Sequence, residues 1–230
     1  MWLMPKMSPH DAPGAPASAP SPLAYNLAGI TVLVLLLAIG AAYLLDALSK
    51  RGEALSPQPA ETERVIQTLS GRELSIPPSL FRHGEQIRDG FTSQIDLRIG
   101  FTTDDGTVLP VDIALMPRSG ARSSASLLDR VYLHQFTEEA LAGVPGLVGK
   151  PLKPGEGYEG ESVWYDALSA NPFVAKCMAP VVEGQGAQCV RTVYLPSGIA
   201  AMYTFDATIL QSWRRFDTEM ERRLAPIGAW

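Results

Sequence analysis

The sequence predicts an α+β protein, in which an N-terminal transmembrane helix precedes a mainly antiparallel β-sheet domain with a C-terminal amphipathic helix. Residues 27–45 form a run of 19 uncharged residues, long enough as a helix to cross a bilayer core of roughly 30 Å. Several later segments alternate apolar and polar residues, as half-buried strands do. Residues 209–224 instead repeat apolar residues every three or four positions, as an amphipathic helix does.

These patterns divide the chain of 230 residues into four expected parts. Residues 1–23 contain six prolines and few residues able to pack, so they are predicted to be disordered. Residues 24–48 are the predicted transmembrane helix, and its apolar run is longer than the core of a cleaved signal peptide. Residues 49–60 are a predicted linker. Residues 61–230 are long enough to bury a core and are the predicted globular domain.

The orientation of the anchor depends on two observations that disagree. Lys50, Arg51 and Arg64 follow the apolar run, whereas Lys6 precedes it. The positive-inside rule therefore favours a domain in the cytoplasm. The two cysteines favour the other side, because a disulfide persists only in an oxidising compartment. We give the cysteines more weight and expect a single-pass protein of the bacterial inner membrane with a periplasmic C-terminal domain.

Within the domain, strands are predicted from alternation and from turn residues. The tight turn Ser70-Gly71 should join the first two strands as a hairpin, and Pro196-Ser197-Gly198 should form a turn in a final meander of three strands. Pro110 lacks an N–H and should lie at a sheet edge or a strand start. The predicted strands are Arg64–Leu69, Glu73–Ile76, Ile95–Phe101, Val111–Leu115, Glu161–Asp166, Phe173–Met178, Gln188–Leu195 and Ala200–Phe205.

Two helices are predicted in the same domain. Ser123 to Ser126 offer N-caps for a helix over Ser126–Phe136. Asp206 is the predicted N-cap of the terminal helix, with Asp217 on its polar face. The apolar stripe of this helix, with Trp213 near its centre, should pack across the sheet; it consists of Ile209, Trp213, Phe216, Met220 and Leu224.

Composition and motifs favour no particular chemistry. A net charge of −5 argues against a nucleic-acid partner. The pattern GxGxxG at Gly155–Gly160 follows Lys153-Pro154 rather than a strand, so it favours a connector over a dinucleotide site. His83 and His134 lie outside any catalytic or metal-binding motif. No catalytic residue, metal ligand or cofactor is therefore predicted.

Cys177 and Cys189 lie on neighbouring predicted strands. A hairpin register that places them opposite each other brings their Cα atoms within disulfide distance. The sequence therefore predicts a Cys177–Cys189 disulfide, with two buried free thiols as the alternative.

A polar segment between two strand regions is the predicted interaction loop. Exposed loops often carry binding groups, and a solvated connection is the alternative. Its candidate residues are Arg82, His83, Glu85, Gln86 and Arg88.

Several short segments together resemble a group of small single-pass, membrane-anchored proteins of alphaproteobacteria. The resemblance covers about 150 residues after the anchor, although the stretch between Phe101 and Ser126 fits poorly. It implies a membrane-anchored architecture and transfers no activity or catalytic residue. The segments are Ile76-Pro77, Arg82–Gln86 with Gly90, Phe173–Cys177, Cys189–Arg191, and Tyr203–Phe205 leading to Trp213.

The architecture favours a non-catalytic module of the cell envelope that works by binding, scaffolding or sensing. Its expected partners are the lipid bilayer, through residues 24–48, and a membrane or envelope protein whose identity the sequence leaves open. One alternative is an anchored periplasmic hydrolase with His83 or His134 as the base. The other is a cytoplasm-facing regulatory subunit of a membrane complex.

Overall fold

The computed structural model describes residues 33–41, 63–155, 159–180 and 186–230. Residues 33–41 form helix α1. Within the described ranges, no helix combines the length and hydropathy needed to cross a membrane. The predicted tail (1–23), the predicted linker (49–60) and all of the predicted transmembrane helix (24–48) except α1 lie outside these ranges.

The remaining described residues belong to a compact unit, Pro59–Trp230. Its strands are β1 (Val65–Leu69), β2 (Arg72–Ile76), β3 (Gly90–Thr92), β4 (Ile95–Thr102), β5 (Val108–Pro117), β6 (Val148–Pro151), β7 (Glu161–Tyr165), β8 (Val174–Met178), β9 (Gln188–Tyr194) and β10 (Ile199–Asp206). Its helices are α2 (Ser124–Leu127) and α3 (Leu133–Gln135), joined by the π-helical turn Leu128–Tyr132, and α4 (Trp213–Leu224). Short 3-10 turns occur at Pro78–Leu80, Gly84–Gln86, Arg118–Gly120, Ala207–Ser212 and Ala225–Ile227.

The strands form two sheets. The larger is antiparallel throughout, with the strand order β4-β5-β10-β9-β8-β7-β6. The smaller has the order β2-β1-β3, in which β1 and β3 run parallel. The α+β class is thereby confirmed, with a large antiparallel sheet and a C-terminal helix. The predicted meander is β8-β9-β10.

Two local predictions about the strands are confirmed. Ser70 and Gly71 both have positive φ, 54° and 79°, as a two-residue hairpin turn with the twist of its strands requires. Pro110 pairs with Gly100 of β4, while the pairing of β10 with β5 ends at Val111. The proline therefore lies where β10 no longer covers β5, and its missing N–H breaks no ladder on that side.

One face of the large sheet packs against α4 and the small sheet in the main hydrophobic core. The predicted stripe of α4 is confirmed, but its centre is Phe216 rather than Trp213. Phe216 is fully buried, and its ring centroid lies 4.8 Å from that of Phe205 and 5.4 Å from that of Tyr203. Trp213 is only partly buried, because it begins the helix beside a loop and its Nε1 donates to Pro145 O at 3.0 Å.

The opposite face is only partly covered. The segment from α2 to α3 packs over a second cluster on β7 and β8, which includes Leu128, Val163 and Val174. The predicted N-cap is confirmed there, since Ser126 N donates to Ser123 Oγ at 3.3 Å. On β4, β5 and β10 this face keeps partly or fully exposed side chains, among them Arg98 and Asp112. No element of the described residues covers this half of the sheet face, and it is called the open half below.

Candidate functional site

The predicted interaction loop lies along the edge strand of this open half. Phe81 forms an isolated antiparallel bridge with Leu97 of β4. Arg82 N then donates to Asp96 O at 2.9 Å, so the loop starts as a short continuation of the sheet. The structure therefore places Arg82 and His83 beside the open face.

Gln86 fixes the far end of the loop. Its Oε1 accepts from Asp96 N at 2.9 Å, and its Nε2 donates to Asp96 Oδ2 at 2.9 Å. Its backbone O also accepts from Gln67 Nε2 at 2.7 Å. Gln86 thus makes hydrogen bonds to β4 that a neighbouring strand would otherwise make, and it connects the loop to both sheets. Glu85 and Arg88 are exposed.

An ion network joins the loop to the sheet. Arg98 and Asp112 are opposite each other on β4 and β5. Arg98 Nε donates to Asp112 Oδ1 at 2.6 Å and Nη2 donates to Oδ2 at 3.0 Å, a bidentate pair. Arg82 Nη1 approaches Oδ2 at 3.4 Å. Two guanidinium groups therefore share the Asp112 carboxylate where the loop meets the large sheet.

The electrostatics of Asp112 follow from this geometry. The hydrogen bond from Arg98 holds the pKa of the Asp112 carboxyl below its ordinary value, and the charges of Arg82, Arg98 and His83 lower it further, against the effect of burial. His83 thus acts on the same carboxylate as the two arginines. Of these groups, Arg82 and Asp112 line a shallow cavity of about 190 Å³, together with Met202 and Thr204.

The lowered pKa of Asp112 predicts an acid-dependent contribution to stability. A carboxylate whose pKa is lower in the folded state stabilises the protein above its unfolded pKa of about 4, and this contribution disappears as the pH falls through the folded pKa. Asp112→Asn should cost about 1 kcal/mol at pH 7. The cost should shrink as the pH falls below about 4.

Urea denaturation at several pH values measures this difference. Asp129→Asn, at an exposed position of the π-helical turn, is the control and should show no such trend. A cost for Asp112→Asn that stays constant down to pH 2 would contradict the role of the network.

Sequence reasoning missed an exposed aromatic residue just after the loop. Phe91 of β3 has 92% of its surface exposed. It lines a small cavity of about 110 Å³ together with Gln67 and Arg88. Gln67 is buried there, and its Oε1 has no hydrogen-bond donor among the described residues. The one signal in the sequence was that an aromatic residue directly follows Asp89-Gly90 in a polar segment, where no apolar pattern would bury it.

The two histidines of the hydrolase hypothesis lie on different elements. His83 is in the loop, where its charge contributes to lowering the pKa of the Asp112 carboxyl. His134 is exposed in α3, and its backbone O accepts from Lys153 Nζ at 3.4 Å. In the described ranges, no three His, Cys, Asp or Glu side chains form a group suited to a metal ion. Residues 156–158 of the glycine motif lie outside the described residues.

The predicted disulfide is confirmed. Cys177 and Cys189 are opposite each other on β8 and β9, are both buried, and form a disulfide. Their Cα atoms lie 3.9 Å apart. The bond joins the two strands at the start of their pairing, next to the loop that connects them.

The protein is thus an α+β domain in which the described residues leave half of one sheet face open. The polar loop held by Gln86 borders this open half. No protein-family model matches the sequence, and no curated protein matches it. Among solved structures, the chain is similar to an immunity protein of the Stenotrophomonas maltophilia type IV secretion system, with a TM-score of 0.47 and 15% identity. The match covers 71% of this chain and 92% of the other.

Proposed function

We propose that the protein is a membrane-anchored, extracytoplasmic module that binds another protein of the cell envelope through its open sheet surface. This surface consists of Arg82, His83, Arg98, Asp112, Met202 and Thr204. The observation that carries the proposal is that, among the described residues, no helix covers half of one sheet face, which bears an ion network instead.

The chemistry of the surface suits a protein partner. Arginine and methionine are enriched at protein interfaces. The side chain of Arg98 is 53% exposed although two hydrogen bonds hold it in place. A partner would therefore meet a guanidinium that has already lost much of its conformational freedom, which lowers the entropic cost of association.

Two features support the compartment and the anchor. The Cys177–Cys189 disulfide supports an oxidising environment outside the cytoplasm, since such bonds are rare in reducing compartments. The uncharged run of residues 27–45 supports an anchor through its length and hydropathy. The predicted interaction loop contributes Arg82 and His83 to the surface, while Gln86 holds the loop in place.

Site-specific photo-crosslinking in intact cells tests the proposal. A photoreactive residue in place of Thr204 should give a discrete adduct with one envelope protein. The matched control is a photoreactive residue in place of Arg222, whose side chain is 68% exposed on α4, and it should give none. Adding Arg98→Ala to the Thr204 probe should reduce the adduct by about tenfold or more, because a charged hydrogen-bonding group at an interface is worth about 1.5–3 kcal/mol.

The adduct must depend on the surface itself. An adduct that forms equally well from position 222, or that persists undiminished with Arg98→Ala in a folded variant, would contradict binding through the open sheet surface. Thermal unfolding of each variant separates a lost interface from a lost fold.

A further inference from the structure

Strands β8 and β9 separate partway along their length. They pair only at Lys176 with Val190, Cys177 with Cys189, and Met178 with Gln188. Continued register would place Val174 opposite Thr192, in a pair that exchanges backbone hydrogen bonds like Lys176 and Val190. That pair does not form, and a cleft opens between the strands.

Two side chains satisfy two of the four backbone groups that the separation leaves, Thr192 N and Val174 O. Thr192 N donates at 2.8 Å to Oγ of Ser124, which is the first residue of α2. Val174 O accepts from Arg191 Nη1 at 3.2 Å. The side chains of Ser124 and Arg191 therefore replace two of the hydrogen bonds that the paired strands would have formed.

Arg191 has N–H groups that donate to no partner among the described residues. Its guanidinium donates to Asp217 Oδ1 at 3.1 Å through Nε, to Asp217 Oδ2 at 2.7 Å through Nη2, and to Val174 O. An arginine side chain carries five N–H groups, so two have no partner among the described residues. The side chain is 6% exposed, and its guanidinium carbon lies 4.3 Å from the ring centroid of Phe173. Packing thus holds a cation with unused donors at the cleft.

The free edge of β9 lines the same cleft. Since Thr192 N points away from β10, alternation along the strand also turns the N–H and C=O of Tyr194 away from β10. The cleft has a volume of about 410 Å³, and its opposite wall includes Ser123 and Asn171. The guanidinium of Arg118 lies 4.3 Å from the ring centroid of Tyr194, which lines the cleft.

We propose that this cleft binds an extended peptide segment that bears a carboxylate. The peptide backbone pairs with the N–H and C=O of Tyr194, beyond the point where Ser124 already accepts from Thr192 N. The carboxylate accepts from the two N–H groups of Arg191 that have no partner among the described residues. Addition of a strand to a free edge is a common mode of peptide recognition. Arg191 keeps two N–H groups without a partner among the described residues even though it already pairs with Asp217, so the cleft suits a further carboxylate. This site is separate from the open sheet surface and does not depend on it.

Binding of a matched pair of peptides to the purified full-length chain tests the proposal. The probe is acetyl-Lys-Thr-Val-Asp-Val-Thr-Lys-amide, and the control peptide has Asn in place of Asp. Nuclear magnetic resonance should show saturable shifts of the Tyr194 amide and the Arg191 Nε–H with the Asp peptide. The Asn peptide should bind about tenfold more weakly, since it loses a charge-assisted pair.

Variants on one loop locate the binding. Asn171→Trp should abolish the shifts by filling the cleft. Leu168→Trp, at a position 97% exposed in the same loop, should leave them unchanged. Arg191→Lys keeps the charge but loses the planar fork, and should abolish the preference for the Asp peptide.

Three results would overturn the proposal. Equal affinity for the Asp and Asn peptides would show that the carboxylate does not contribute to binding. Shifts of Arg191 with sodium acetate but none of Tyr194 with either peptide would leave a simple anion site. Unchanged binding in Asn171→Trp would place the peptide elsewhere.

Discussion

Phe216→Ala is expected to lower the free energy of unfolding by about 3–5 kcal/mol, the usual cost of truncating a buried large aromatic. Phe216 is fully buried at the centre of the α4 stripe. Its ring contacts those of Phe101, Phe173, Tyr203 and Phe205 with centroid distances of 4.8–6.0 Å. Alanine would leave a cavity between the helix and strands β4 and β10 of the large sheet.

Trp213→Ala on the same helix is the matched control and should cost less, about 1–2 kcal/mol. Its side chain is partly exposed, and its main polar contact is the hydrogen bond to Pro145 O. Urea denaturation with a constant m-value measures both losses. A loss for Trp213→Ala equal to or larger than that for Phe216→Ala would mean that the helix is centred differently on the sheet.

Loss of the disulfide should have the next largest effect. In the chain-entropy model, a bond that closes a loop of this size stabilises the folded state by about 3 kcal/mol, and here the two cysteines are 12 positions apart. The double variant Cys177→Ser with Cys189→Ser should lose about that amount. Wild-type protein denatured in the presence of a reductant is the control and should lose the same amount.

The same bond gives a test of the compartment. In protein taken from membranes with free thiols blocked, neither cysteine should be alkylated until a reductant is added. Alkylation of both after unfolding without reductant would mean that the bond is absent in cells. It would also remove the support for an extracytoplasmic domain, and the basic residues Lys50 and Arg51 would then favour the cytoplasm.

The sequence was informative wherever a structure depends on neighbouring residues. The alternation of Ile95, Leu97, Ile99 and Phe101 predicted β4, and all four side chains are buried. Ser70-Gly71 predicted the hairpin turn, because few residues adopt positive φ at low cost. The register of Cys177 with Cys189 was also predictable, since a hairpin limits the pairings of two adjacent strands.

The loop shows where such reasoning was insufficient. Its five polar residues gave no indication that Gln86 would bond to Asp96 while Arg82 joined Asp112. Both contacts require that the loop lie along β4, and that placement depends on the packing of the small sheet. Phe91 was missed because its exposure depends on β3 being an edge strand of the small sheet.

Arg191 and Asp217 show the same limit most clearly. On the strand, Arg191 was one polar residue in an apolar face, and on the helix Asp217 belonged to the predicted solvent-facing side. Their ion pair, with Arg191 Nη2 and Asp217 Oδ2 2.7 Å apart, exists because α4 crosses the sheet at the point where β8 and β9 separate. The sequence by itself determined the helix, the strands and the cysteine register, since periods of 3.6 and 2 residues are local properties of the chain. Only the tertiary structure decided which polar residues share a site, because residues 26 positions apart meet through packing that no local period encodes.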